Sequence, residues 1–359
     1  MGRRNGGAVV LTATVVWMAL CQCTRADWWQ LGFPTTLPTI MNLTPPAHKE
    51  KCMKMDFLVD KQKELCAKYD RILPIIGSGA KLAIEECQNQ FAFTRWNCTT
   101  FPDKNNTFGN VATIKSREAA YLSAISAASV AYAITRACTK GELAEYCSCD
   151  NKIRMRKATK WKWGGCSDDI RFGEKFSREF LDVREDAGTA LGLMNIHNNE
   201  AGRRAVRSRM QRTCKCHGVS GSCSMQICWR RLPAMRKVSE GLYKRYEGAS
   251  HVKYAEKRRR SKLKVISPDF KKPNRTDLVY LDDSPDYCEM NESLDIMGTR
   301  GRICNLTSQG IDGCPLLCCG RGYQTKIKDV EEKCNCQFVW CCNVVCSTCR
   351  SRKEEHVCN

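Results

Sequence analysis

The side chains best able to do chemistry sit together in Cys214-Lys215-Cys216-His217-Gly218-Val219-Ser220-Gly221-Ser222-Cys223, continued by Cys228. Thiols, serine hydroxyls and an imidazole this close admit a nucleophile, a metal site or a disulfide staple. Gly218-Val219-Ser220-Gly221 approaches the G-x-S-x-G elbow of a hydrolase, but Ser222 stands where the last glycine is required. The only later histidines are His251 and His356, and no α/β sheet pattern surrounds the serine. His197 and Glu200 are spaced as a helical ligand pair, but no H-E-x-x-H and no third ligand accompanies them. A polar network on a helix face is the expectation there, and no metal is expected. The staple fits the spacing best. A C-x-C pair on an extended strand points both sulfurs to one face, so bridges across to Cys223 and Cys228 would pin a hairpin twice. Gly218 and Gly221 are expected to supply the backbone angles of its six-residue tip, which presents Val219, Ser220 and Ser222 outward.

Disulfides require an oxidising compartment, and the rest of the chain agrees with one. The chain has 359 residues, 26 Cys and a formal charge of +20. Residues 1–26 read as a secretory signal: Arg3 and Arg4, an apolar run from Ala8 to Leu20, then small residues at Thr24 and Ala26. Cleavage after Ala26 removes two cysteines and three arginines, leaving 24 Cys and +17. An even cysteine count in an exported chain points to bridges rather than to zinc thiolates. The apolar run is short for a membrane anchor, and Cys358-Asn359 ends the chain without the tail a GPI anchor needs. Ala119 to Thr135 lacks charges but is rich in Ala and Ser, as in a buried core helix. Sequons lie at Asn42, Asn97, Asn105, Asn274, Asn291 and Asn305, with Asn97 and Asn305 favoured for glycosylation and Asn42 disfavoured by Pro45-Pro46. So basic a chain would suit nucleic acid, yet export turns the same charge toward heparan sulfate and acidic cell surfaces.

The elements that must position the hairpin follow from periodicity. Residues 27–51, with Pro34, Pro38, Pro45 and Pro46, read as a mobile lead-in. Leu58, Leu65 and Ile72 predict one helix over 52–73, ended by Pro74; Gly79 to Phe91 predicts a second. Ser116 is a fair cap, with Glu118 in the first turn, for a helix running to about Cys138. Further helices are expected over 172–183 and 191–212. The stretch 255–276, basic and broken by two prolines, reads as a linker. Its block Lys257-Arg258-Arg259-Arg260 could bind sulfated glycans, be cut by a protease, or simply be solvated. Twelve of the 24 cysteines precede the linker and twelve follow it. The expectation is therefore a two-domain, disulfide-rich α+β protein: a helical N-terminal domain over 27–254 carrying stapled hairpins, and a small cysteine-rich β-hairpin domain over 277–359. In the latter, Phe338, Trp340, Cys341, Cys342 and Val344 form an apolar hairpin tip, read as a contact surface rather than a mini-core.

The decapeptide 214–223 resembles the signature of the Wnt family of secreted, lipid-modified signalling glycoproteins. ECQNQF (86–91), RWNC (95–98), TRAC (135–138), WGGCSDD (163–169), HNNEAGR (197–203), SPDYC (284–288), CCGRG (318–322) and FVWCCNVVC (338–346) resemble further family blocks in family order. The basic linker and Glu64-Leu65-Cys66 look closest to the branch numbered sixteen. The resemblance implies bridges Cys52–Cys66, Cys87–Cys98, Cys138–Cys147, Cys149–Cys166, Cys214–Cys228, Cys216–Cys223, Cys334–Cys349, Cys336–Cys346 and Cys341–Cys342. It implies a palmitoleate ester on Ser220, with Ser222 the local alternative, and no other cofactor. It implies that His217, Gly218, Val219, Ser220 and Gly221, with the tip at 338–344, bind the cysteine-rich domain of Frizzled. Further implied partners are a low-density-lipoprotein-receptor-related co-receptor, a membrane-bound acyltransferase and an export carrier, on a route through the endoplasmic reticulum to the extracellular space and matrix. The role implied is a developmental signal rather than an enzyme. A non-signalling matrix or inhibitor module is the alternative, and it would need no lipid.

Overall fold

A computed structural model describes residues 27–155, 161–256 and 261–359. The expected signal segment 1–26 and the basic block 257–260 lie outside these. The helices are α1 (Leu37–Met41), α2 (Pro45–Met53), α3 (Asp60–Lys68), α4 (Ile72–Gln90), α5 (Arg117–Lys140), α6 (Ile170–Leu181), α7 (Ala190–Ser208), α8 (Met235–Glu247) and the single turn α9 (Cys314–Leu317). The strands are β1 (Lys162–Trp163), β2 (Gln211–His217), β3 (Met225–Arg231), β4 (Ser250–Ala255), β5 (Lys262–Val265), β6 (Val279–Tyr280), β7 (Ile303–Cys304), β8 (Tyr323–Val339) and β9 (Asn343–Cys358). They form three small sheets, in the orders β1-β3-β2, β5-β4-β6 and β7-β9-β8. This is the expected pairing of a helical N-terminal region with a β-hairpin C-terminal region, each held by its own disulfides.

Helix α5 is the axis of the helical region. The Ser116 hydroxyl accepts from Ala119 N at 3.5 Å, and Gly141 stops the helix in the left-handed region at φ 78°. Glycines on the neighbouring helices let them approach it closely. A Cβ at Gly202 of α7 would sit 1.9 Å from the Ala124 carbonyl oxygen, and one at Gly173 of α6 would sit 2.4 Å from that of Ala131. Among the described residues no helix is long and apolar enough to cross a membrane. The uncharged run 119–135 is core, as expected.

Three expectations change. Residues 27–51 are no loose lead-in: Trp28, Leu31 and Ile40 are fully buried, and Pro38, Pro45 and Pro46 sit at helix starts, where a missing N–H is harmless. Pro74 likewise lies in the first turn of α4 and opens a helix rather than ending one. The single helix expected over 52–73 is instead α2, α3 and the beginning of α4, broken by extended Val59 and by Arg71 at φ 61°. Finally, the described part of the 255–276 linker is structured. Strand β5 pairs with β4 from Val252↔Val265 to Ala255↔Lys262, and Arg245 donates to the Thr276 carbonyl at 2.6 Å. Beyond it, Leu278, Tyr287 and Ile296 join the core of the helical region, so no exposed tether divides the chain at 276.

Candidate functional site

Strands β2 and β3 form an antiparallel ladder from Gln211↔Arg231 to His217↔Met225. Cys214 and Cys228 face each other across it and are bridged, and Cys216–Cys223 closes the tip. The base is fixed from outside the hairpin. Trp163 of β1 pairs with Cys228, the Ser167 hydroxyl accepts from Arg230 N at 3.1 Å, and the buried Asp168 carboxylate accepts from Leu232 N and the Thr139 hydroxyl. Cys149–Cys166 holds that support in turn. These anchoring roles of Ser167 and Asp168 were not legible in the sequence, where the WGGCSDD block carried no assigned role.

At the tip, Gly221 N donates to Gly218 O at 3.2 Å and Ser222 N to Val219 O at 3.1 Å, winding Val219–Gly221 into one tight turn. Ser220 sits in the left-handed region (φ 55°, ψ 29°) and Gly221 follows at φ 74°. Gly218 departs from the expectation: its φ of −173° is ordinary extended backbone. Space is what it provides, since a Cβ there would lie 2.4 Å from Ser222 Oγ and 2.5 Å from Ser222 O. His217, Ser220 and Ser222 are exposed, and Val219 is 88% exposed. Among the described residues the Ser220 hydroxyl has no hydrogen-bond partner.

The second tip ends a long finger. Strands β8 and β9 pair from Tyr323↔Cys358 to Val339↔Asn343, with a bulge between Cys334 and Gln337. At ~3.3 Å per residue the finger is roughly 50 Å long. Cys334–Cys349 and Cys336–Cys346 pin its outer half, and Cys318–Cys358 pins its base. Trp340 is 90% and Phe338 70% exposed, with Val344 also exposed, so this tip is not a mini-core. One implied bridge is corrected. Cys341 and Cys342 are unbridged exposed thiols at φ 71° and 82°. A bridge between adjacent residues would strain the peptide unit that links them. The remaining implied pairs are present, together with Cys288–Cys319 and Cys304–Cys314. The sulfurs of Cys304, Cys318 and Cys358 gather in the C-terminal core, but each is committed to a bridge and offers no thiolate.

His197 and Glu200 are not a ligand pair. The His197 ring meets the Asp277 carbonyl at 2.9 Å, and burial pushes its pKa down. Glu200 accepts from Arg178 at 3.0 Å, Arg203 at 3.2 Å and Arg204 at 2.7 Å. Burial opposes its ionisation, but these guanidinium groups outweigh burial and hold its pKa at about 2. Of the sequon asparagines, Asn97 is half-buried, while Asn42, Asn105, Asn274, Asn291 and Asn305 are exposed. Asn305 Nδ2 donates to Asp312 at 3.3 Å.

The wnt family model matches residues 54–359. This chain belongs to the Wnt family. It is 42% identical to Protein Wnt-5a of Xenopus laevis over 98% of this chain and 93% of that protein. It is 43% identical to human Protein Wnt-5b over 92% and 93% respectively. A chain from the solved complex of human WLS with WNT8A superposes with a TM-score of 0.62 at 36% identity, covering 84% of this Wnt and 99% of that chain. Family membership makes this Wnt a signalling ligand, which fits a non-enzymatic role. These relatives carry the number five and lend no support to the branch numbered sixteen.

Proposed function

We propose that this Wnt is secreted through the endoplasmic reticulum and grips the cysteine-rich domain of Frizzled with its two tips. The carrying observation is an exposed, unpartnered Ser220 hydroxyl on a doubly bridged turn. A palmitoleoyl ester there supplies an apolar knob. Burying a CH2 is worth about 0.8 kcal/mol, so a sheltered C16 chain contributes on the order of 10 kcal/mol. One chain holds a bilayer only marginally, so a groove on a receptor is the better use of it. The pinned stem matters because a rigid presenter loses little entropy on docking. His217, Gly218, Val219 and Gly221 flank the chain at the groove. Phe338, Trp340 and Val344, flanked by Cys341 and Cys342, make the second contact, and two linked contacts raise avidity.

A membrane-bound acyltransferase adds the lipid, and a carrier shields it during export. The match to a chain solved with WLS supports a dedicated partner of that kind. A low-density-lipoprotein-receptor-related co-receptor completes the receptor assembly, and heparan sulfate is the acidic surface suited to a chain of +17 after signal cleavage.

Mass analysis of peptide 217–223 from the secreted protein tests the reading. The expected result is one monounsaturated C16 acyl increment, absent from Ser220→Ala, which is still secreted with its bridges intact but does not activate the receptor. Unmodified serines in fully active material would overturn it and leave the lipid-free matrix or inhibitor module.

A further inference from the structure

A cavity of about 800 Å³ lies on the side of the molecule where the start of α5, the end of α8 and the segment 283–287 meet. Four aromatic side chains wall it: Trp96, Tyr243, Tyr246 and Tyr287. Phe91 backs three of them, with ring centroids 4.8 Å from Trp96, 5.2 Å from Tyr243 and 4.9 Å from Tyr246. The Glu118 carboxylate is buried at its floor, accepting from Tyr246 at 2.8 Å and from Ser284 at 2.7 Å. Beside it the Tyr287 hydroxyl, on a residue only 8% exposed, faces Glu118 and Ser116. Burial and the Glu118 charge push the phenols of Tyr246 and Tyr287 well up, so both rings stay neutral.

The charge of this cavity is opposite to that of the molecule. Glu118, Glu247, Asp283 and Asp286 line it, in a chain of +20. Its two guanidinium groups are already engaged. Arg95 donates to the Leu316 carbonyl at 3.1 Å, and Arg117 lies over the Tyr280 ring and donates to its hydroxyl at 2.9 Å. Neutral aromatic faces ringed by carboxylates attract an organic cation. A metal ion would need a compact oxygen cage instead.

We propose that this cavity is a docking site for a basic segment of a partner protein, with an arginine side chain seated among the rings. Guanidinium suits the place because it stacks flat on aromatic faces and carries a charge that the lining carboxylates attract. The volume exceeds that of one side chain, and Ile311 and Leu316, 53% and 45% exposed, line it where residues flanking the arginine would lie. The site is separate from both hairpin tips and does not depend on the acyl chain.

The test uses the purified full-length protein and ligand-observed saturation-transfer NMR. The probes are acetyl-arginine N-methylamide and its neutral isostere acetyl-citrulline N-methylamide. The arginine probe is expected to bind and the citrulline probe not to. The double variant Glu247→Gln/Asp283→Asn is expected to bind the arginine probe roughly tenfold more weakly, the loss of about 1.4 kcal/mol. Both residues are exposed and make no ion pair among the described residues, so its melting temperature should match wild type. Equal binding of the citrulline probe, or unchanged affinity in the double variant, overturns the proposal. Tighter binding of phosphocholine than of the arginine probe also overturns it and assigns the cavity to a lipid headgroup.

Discussion

Ser220 adopts φ 55°, a backbone angle that a side chain seldom takes, and this turns its hydroxyl out of the hairpin. The bare serine was visible in the sequence; its conformation was not, because it follows from the Gly218–Gly221 and Val219–Ser222 hydrogen bonds closing at once. Gly218 shows the converse. Its identity looked like a matter of backbone freedom and proves to be one of space beside Ser222. Glu200 carries a prediction at this scale. Its carboxyl is held at about 2 in the fold against 4.5 in the open chain. The unfolded chain therefore binds the proton more readily, and ionised Glu200 stabilises the fold above pH ~4.5. That contribution fades as the pH falls toward 2. Denaturation midpoints measured from pH 7 to 2 should show this acid limb, and Glu200→Gln should flatten it while lowering stability at pH 7.

The two hairpins divide presentation from anchorage. The β2–β3 hairpin is short and is tied to the helical core by Asp168 and β1. The β8–β9 finger projects, stiffened by its bridges and by cross-strand pairs such as Arg350–Glu331 at 2.7 Å and Arg352–Asp329 at 3.4 Å. Such exposed pairs add little stability each, so the covalent pins carry the stiffness. Trp340 at the tip packs on nothing. Trp340→Ala should leave the melting temperature unchanged within ~1 °C and weaken receptor binding by about 2 kcal/mol, roughly thirtyfold, read by surface plasmon resonance. A falling melting temperature with unchanged affinity would return the indole to a structural role. Pattern alone found these hairpins because alternation and cysteine spacing are local. It misplaced the helices before residue 90, since a seven-residue recurrence of Leu58, Leu65 and Ile72 also arises from three separate pieces packing on one core.

Across the molecule, the two tips are held in one frame by polar contacts between distant segments. Arg302 donates to the carbonyls of Thr94 at 2.6 Å, Arg95 at 2.8 Å and Ala92 at 3.1 Å. Asp295 accepts from Asn110 N at 2.9 Å and pairs with Lys104. Arg302→Ala removes the three bonds to the 92–95 loop and should cost about 2–3 kcal/mol. It should raise hydrogen exchange in 91–98 while leaving that of α5 unchanged. An unaltered exchange pattern would show that the bridged core alone sets the frame.

What the sequence by itself determined is local: a capped, small-residue central helix, the cysteine spacings, the sequons and the apolar finger tip, each written within a few turns of chain. The tertiary structure alone decided that residues 27–51 and 278–296 belong to the helical core, that Cys341 and Cys342 stay apart, and that acidic residues converge on an aromatic cavity in a basic protein. These outcomes depend on groups far apart in the chain meeting at ångström distances, which periodicity and spacing do not encode.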